Sequence, residues 1–92
     1  MEILVTYDVS TESKEGRRRL RHVAIVCQAF GQRVQKSVFE CSLGDMQLEE
    51  LKHKLLEIIN EEEDSLRIYH IRGDVEEYGL NAKIDFDDPL IV

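Results

Sequence analysis

Two apolar stripes of helical period run through the chain, and the segments around them leave few folds open. In the first stripe Leu20, Val23, Ala24 and Cys27 recur at three- and four-residue intervals, and Phe30 extends the row. Leu48, Leu51, Leu55, Ile58 and Ile59 make the second. Each stripe is one helix face that has to be buried. ILVTYDVS precedes the first, the β-rich QRVQKSVFECSL separates the two, and SLRIYHI follows the second. The order is strand, helix, strand, strand, helix, strand, with VEEYGLNA adding a short edge strand. That is the α+β, ferredoxin-like split βαβ plan. At 92 residues the chain makes a single domain with a modest core.

The boundaries follow from local chemistry. Residues 2–9 form the first strand, and STESKEG leads into a helix from about Lys14 to Phe30, with Gly31 as its natural end. QRVQKSVFECSL is long for one strand, so it divides into about 32–36 and 38–43 with a bend or bulge near Ser37. Gly44-Asp45 breaks the chain, Asp45 being a good N-cap. The second helix runs to about Glu62, where EEED opposes the macrodipole. Its outer face, with Glu49, Glu50, His53 and Glu57, is solvated. Residues 65–71 are the next strand, and RGD is a turn rather than an adhesion signal. Residues 75–92 form a C-terminal strand and tail, ending IDFDDPLIV, that is exchanged with or docked on a partner.

Alternation along the first strand raises the functional question. Ile3, Val5, Tyr7 and Val9 point one way; Leu4, Thr6 and Asp8 point the other. Two helices cover only one face of a four-stranded sheet, so the face bearing Leu4 and Thr6 calls for a second cover. A twofold, sheet-on-sheet homodimer supplies it. Asp8 shares that face, and two such carboxylates meeting at the seam can bind a divalent cation. The plainer reading of Asp8 is a strand end capping the following turn.

Charge divides the chain. The formal net charge is −7. Residues 1–36 hold seven basic and four acidic side chains, a balance of +3, and the remainder holds five basic and fifteen acidic, a balance of −10. Such asymmetry suits a basic surface for a polyanion and another surface for a protein partner. The basic side chains concentrate in GRRRLRH, where Arg17 and Arg21 are i,i+4 neighbours and Arg18 and Arg19 diverge from them. They suit phosphate contact, against the alternative of a solvated face paired with Glu12 and Glu15. Cys27 and Cys41 form no C-x-x-C motif and read as buried packing residues. His22, His53 and His70 show no metal-ligand spacing. No apolar run reaches the ~20 residues of a membrane span, and the start has no signal-peptide pattern, so a cytoplasmic protein is expected.

These residues carry a family resemblance. TYDVS with Asp8, the arginine-rich helix start and GQRVQKSVFEC closely resemble the second CRISPR-associated adaptation protein family, the small ferredoxin-like partner of the adaptation integrase. The likeness continues through LRIYHI to DDPLIV, and the FEC variant and tail look most like type I-C members. The resemblance implies a homodimer with exchanged C-terminal strands. It implies an Mg2+-dependent endonuclease (Mn2+ being an alternative), with Asp8 as catalytic metal ligand. Members of the family cleave single-stranded RNA or, in type I-C-like cases, double-stranded DNA. Others serve mainly as a scaffold between two integrase dimers in the spacer-integration complex. Tyr7, Arg19, Arg33 and Phe39 match positions the family treats as functional, while the run GRRRLRH leaves open which of Arg17, Arg18, Arg19 and Arg21 fills each arginine position. On residues alone, Arg33 fits a structural role as well, Phe39 fits the core, and Tyr7 fits core or site. A small-molecule-sensing regulatory module and a toxin-like ribonuclease share the architecture. An RNA-recognition module is disfavoured, because the strands lack paired exposed aromatics for stacking bases.

Overall fold

The computed structural model describes residues 1–79. Its elements are β1 (Glu2–Asp8), α1 (Lys14–Phe30), β2 (Gln32–Gln35), β3 (Val38–Ser42), α2 (Asp45–Ile58) and β4 (Ser65–Ile71). The strands form one sheet in the order β2-β3-β1-β4, with every neighbouring pair antiparallel. This is the ferredoxin-like arrangement expected from the element order. Among the described residues no helix is long and apolar enough to cross a membrane.

Both helices pack on one face of the sheet. Ile3, Val5, Tyr7 and Val9 of β1 and its end are buried there with Phe39, Cys41 and Leu43. Val23 and Cys27 of α1 and Leu48, Leu51 and Leu55 of α2 close the core above them. Both cysteines are free and buried, as the apolar pattern requires. Burial pushes the Cys27 thiol up to about 12, so it stays protonated and unreactive.

Several boundaries differ from the sequence expectation. The N-cap of α2 is Gly44, not Asp45, and the Gln47 side chain accepts a 3.0 Å hydrogen bond from the Gly44 amide. Asp45 instead occupies the first turn, where its charge suits the helix dipole. The same helix stops at Ile58 rather than near Glu62. Beyond it, Asn60 and Asp64 side chains take up amides of a tight turn: Asn60 N–H donates to Asp64 Oδ2 at 2.9 Å, and Glu62 N–H to Asn60 Oδ1 at 3.0 Å. Polar side chains that satisfy local amides in this way compete with the helix. The bend between β2 and β3 falls at Lys36-Ser37, with a register shift between Arg33 and Gln35. Gly73 of the RGD turn takes φ +89°, a conformation that favours glycine. Residues 75–79 are not a strand. The remainder of the expected C-terminal strand and the tail IDFDDPLIV lie outside the described residues.

Candidate metal and nucleic-acid site

The site is built at the C-terminal end of β1. Tyr7 and Asp8 are adjacent, so the two-residue period sends them to opposite faces. Tyr7 enters the core at 5% exposure, and Asp8 is exposed on the face without helices. In register, Asp8 pairs with Ser65 of β4, and Thr6 pairs with Arg67. Paired residues share a face, so Arg67 and Tyr69 stand on the open face with Asp8, joined by a 3.1 Å hydrogen bond from Arg67 to the Tyr69 hydroxyl. Arg67 was not singled out from the sequence. The signal was present, since alternation in SLRIYHI sends Leu66 and Ile68 inward and Arg67 and Tyr69 outward.

The strand end is held on one side by Tyr7. Its amide donates to the Ser37 carbonyl at 3.1 Å and its hydroxyl to the Lys36 carbonyl at 3.3 Å, so the β2–β3 turn is tied to β1 beside Asp8. The Tyr7 ring stacks on Phe39 with centroids 6.2 Å apart. Arg33, only 3% exposed, places its guanidinium 5.0 Å from the Phe39 centroid, a cation–π contact. Burial raises the Tyr7 phenol above its ordinary value, opposed by a hydrogen bond from Arg33. The structure thus brings Tyr7, Arg33 and Phe39 together as one buried group under Asp8, on the helix side of the sheet.

On the other side lies the β1–α1 loop. Ser13 caps α1, its hydroxyl accepting from Gly16 N–H at 3.0 Å. A side chain at Gly16 would run into the Ser10 carbonyl, so glycine lets the helix start close against the loop. Arg17 donates to the Thr11 carbonyl at 3.1 Å. Arg18 and Arg21 are exposed. Arg19 turns to the β4 side, with Nε 2.8 Å from Asp64 and Nη2 3.2 Å from Glu63. Among the described residues no ion pair links these arginines to Glu12 or Glu15. Asp64 is pushed up by burial, but the Arg19 guanidinium and the amides of Asn60 and Ser10 outweigh this and hold it below the usual carboxylate value.

Among the described residues no three His, Cys, Asp or Glu side chains gather as a metal cluster. Asp8 therefore offers one carboxylate per chain. That donor set fits Mg2+, which binds through one or two carboxylates and completes its octahedron with waters and substrate phosphate.

Residues 1–77 match the family described as CRISPR associated protein Cas2. The chain is 59% identical, over the full length of both, to a CRISPR-associated endoribonuclease Cas2 of Moorella thermoacetica. It is 52% identical, over 99% of each chain, to a CRISPR-associated endonuclease Cas2 of Halalkalibacterium halodurans. The crystal structure of Streptococcus pyogenes Cas2 superposes with a TM-score of 0.76 at 51% identity, covering 86% of this chain and all of that one. Sequence and fold agree, and the chain belongs to the CRISPR-associated Cas2 family.

Proposed function

We propose that this protein is a metal-dependent endonuclease of CRISPR adaptation that acts as a homodimer on double-stranded DNA or single-stranded RNA and joins the integrase in the spacer-integration complex. One observation carries the reading: Asp8 is the exposed carboxylate at the end of a core strand, on the face the helices leave open. The names of the Moorella and Halalkalibacterium relatives, an endoribonuclease and an endonuclease, support it.

Asp8 would hold Mg2+ or Mn2+, together with Asp8 of a second copy across the dimer seam. When bound, the ion supplies Lewis-acid polarisation of a phosphoryl oxygen and a more acidic water. The chain's own residues present and steer the substrate. Arg17, Arg18 and Arg21 on exposed turns of α1 offer phosphate contacts that read no base. Arg67 adds a cation on the Asp8 face. Tyr7, Arg33 and Phe39 keep the strand end and the β2–β3 turn in fixed relation.

The test is Asp8→Asn, which removes the charge and keeps the shape. Cleavage of duplex DNA and single-stranded RNA with Mn2+ or Mg2+ should fall at least about 100-fold, in line with loss of an essential charged group. Duplex binding should stay within about twofold, because the arginines carry the phosphate contacts. Full cleavage by the variant would return Asp8 to a turn-capping role. An inactive wild type that still binds duplex would favour the second reading, a scaffold between integrase subunits.

A further inference from the structure

The least exposed acidic side chain near the strand end is Asp64, not Asp8. Its carboxylate has no exposed surface, although Glu61, Glu62 and Glu63 just before it are exposed. A buried carboxylate needs full compensation, and this one has it. Oδ1 accepts from Ser10 N–H at 3.1 Å and from Arg19 Nη2 at 3.2 Å. Oδ2 accepts from Arg19 Nε at 2.8 Å and from Asn60 N–H at 2.9 Å. Each oxygen takes two donors, which fills the capacity of the group, and the guanidinium binds as a two-pronged fork.

The donors come from three different places. Ser10 lies two residues beyond Asp8, Arg19 lies in α1, and Asn60 lies in the turn after α2. Asp64 itself immediately precedes Ser65, the register partner of Asp8. Asp64 therefore adjoins the residue paired with Asp8 and, through its side chain, bonds the loop into which Asp8 leads. Ser10 is held through its amide by Asp64, and its carbonyl lies where only a glycine at position 16 leaves room. Tyr7 fixes the opposite side through the Lys36-Ser37 turn.

We propose that Asp64, with Arg19 as its counter-ion, is a positioning residue for Asp8: the clasp sets where the Asp8 carboxylate is presented, and Arg19 serves the site through Asp64 rather than through phosphate. The proposal rests on the reading of Asp8 as metal ligand and deepens it. Two alternatives compete with it. The pair could hold the fold together without bearing on Asp8, or Arg19 could face the nucleic acid.

The experiment compares wild type, Asp64→Asn, Arg19→Lys, the double variant of these two, and Arg19→Ala. Four quantities are read: exchange of the Ser10 amide proton by NMR, Mn2+ affinity by calorimetry without nucleic acid, kcat and KM for Mn2+-supported cleavage, and the salt dependence of duplex binding. Asp64→Asn should speed Ser10 exchange and lower Mn2+ affinity and kcat by about 10–100-fold, the usual effect of losing a group that orients a metal ligand. KM and duplex affinity should hold within about twofold. Arg19→Lys keeps the charge without the fork, so its loss should be smaller, and in the Asp64→Asn background it should add nothing.

Faster Ser10 exchange with unchanged Mn2+ affinity and kcat would overturn the proposal and leave the clasp a purely structural pair. So would an Arg19→Lys effect that adds to that of Asp64→Asn, or a salt slope about one unit lower in Arg19→Ala, the mark of a phosphate no longer neutralised. If Asp64→Asn does not fold, Arg19→Lys decides on the same readouts. A wild type that binds Mn2+ but cleaves nothing removes the nuclease reading alone, and the Mn2+ affinities then decide the clasp.

Discussion

Tyr7 and Asp8 show how much two neighbouring side chains can differ when a strand separates them. Tyr7 is buried with Phe39 and Arg33, so its influence on Asp8 passes through packing and through the turn it holds. At this scale the acid response of Asp64 is the sharpest expectation. Its folded value lies below the ordinary one, so the clasp contributes its full stability above the unfolded carboxylate value and loses it as pH falls through the lower folded value. The groups facing it are Arg19 from α1 and the neighbouring Glu63. Asp64→Asn should lower the melting temperature at pH 7, because it removes the carboxylate that the Arg19 guanidinium and the Ser10 and Asn60 amides all bind. The difference from wild type should persist to about pH 4 and shrink below it. Calorimetric melts from pH 7 to pH 3 check this. A constant gap down to pH 3 would mean the clasp does not use the carboxylate's charge.

Among the elements, α1 is the one whose basic side chains meet the most different surroundings. The four arginines of GRRRLRH are equivalent as sequence. In the folded helix Arg17 bonds back to the Thr11 carbonyl, Arg19 joins the Asp64 clasp, and Arg18 and Arg21 remain exposed. Arg18→Ala combined with Arg21→Ala should therefore weaken duplex binding irrespective of sequence, and flatten its salt dependence by roughly one unit for each phosphate that is no longer neutralised. Titrations at several salt concentrations on two unrelated duplexes test this. An unchanged slope would assign both side chains to surface solvation. The helix ends teach a related lesson. The apolar period located the stripe of α2, but a period does not register that Asn60 and Asp64 satisfy amides better from outside the helix than the helix would by continuing.

For the whole molecule, the open sheet face is the feature a single chain leaves unfinished. Leu4, Val34, Val38 and Ile71 line a cleft on it, and Val75 and Tyr78 border that cleft from the segment after β4. Tyr69 and Val75 are about half exposed and Tyr78 is 77% exposed. Apolar surface of this kind on a small domain favours association, and a second copy that packs sheet on sheet would bring two Asp8 carboxylates to one seam. The protein should sediment as a dimer at micromolar concentration, and Val38→Asp should shift it toward monomer by placing a charge in the seam. A wild-type mass near one 10.7 kDa chain would sink this expectation.

Local pattern by itself determined the element order, the buried face of β1, both packing cysteines and the face on which Asp8 lies. A two-residue or 3.6-residue period states which side of an element a residue occupies, and burial follows from that. Family likeness in TYDVS, the arginine-rich helix start and GQRVQKSVFEC drew attention to Tyr7, Arg19, Arg33 and Phe39, yet it assigned no geometry to them. Tertiary structure alone decided that Tyr7, Arg33 and Phe39 form one buried group, that Arg67 pairs with Thr6 next to Asp8, and that Arg19 meets Asp64. Asp64 lies 45 positions from Arg19 and 54 from Ser10. No local period links residues so far apart; their meeting follows from the antiparallel pairing of β4 with β1, which sets the turn before β4 beside the β1–α1 loop and the start of α1, and a carboxylate read as one more acid in EEED becomes the most fully bonded side chain beside the site.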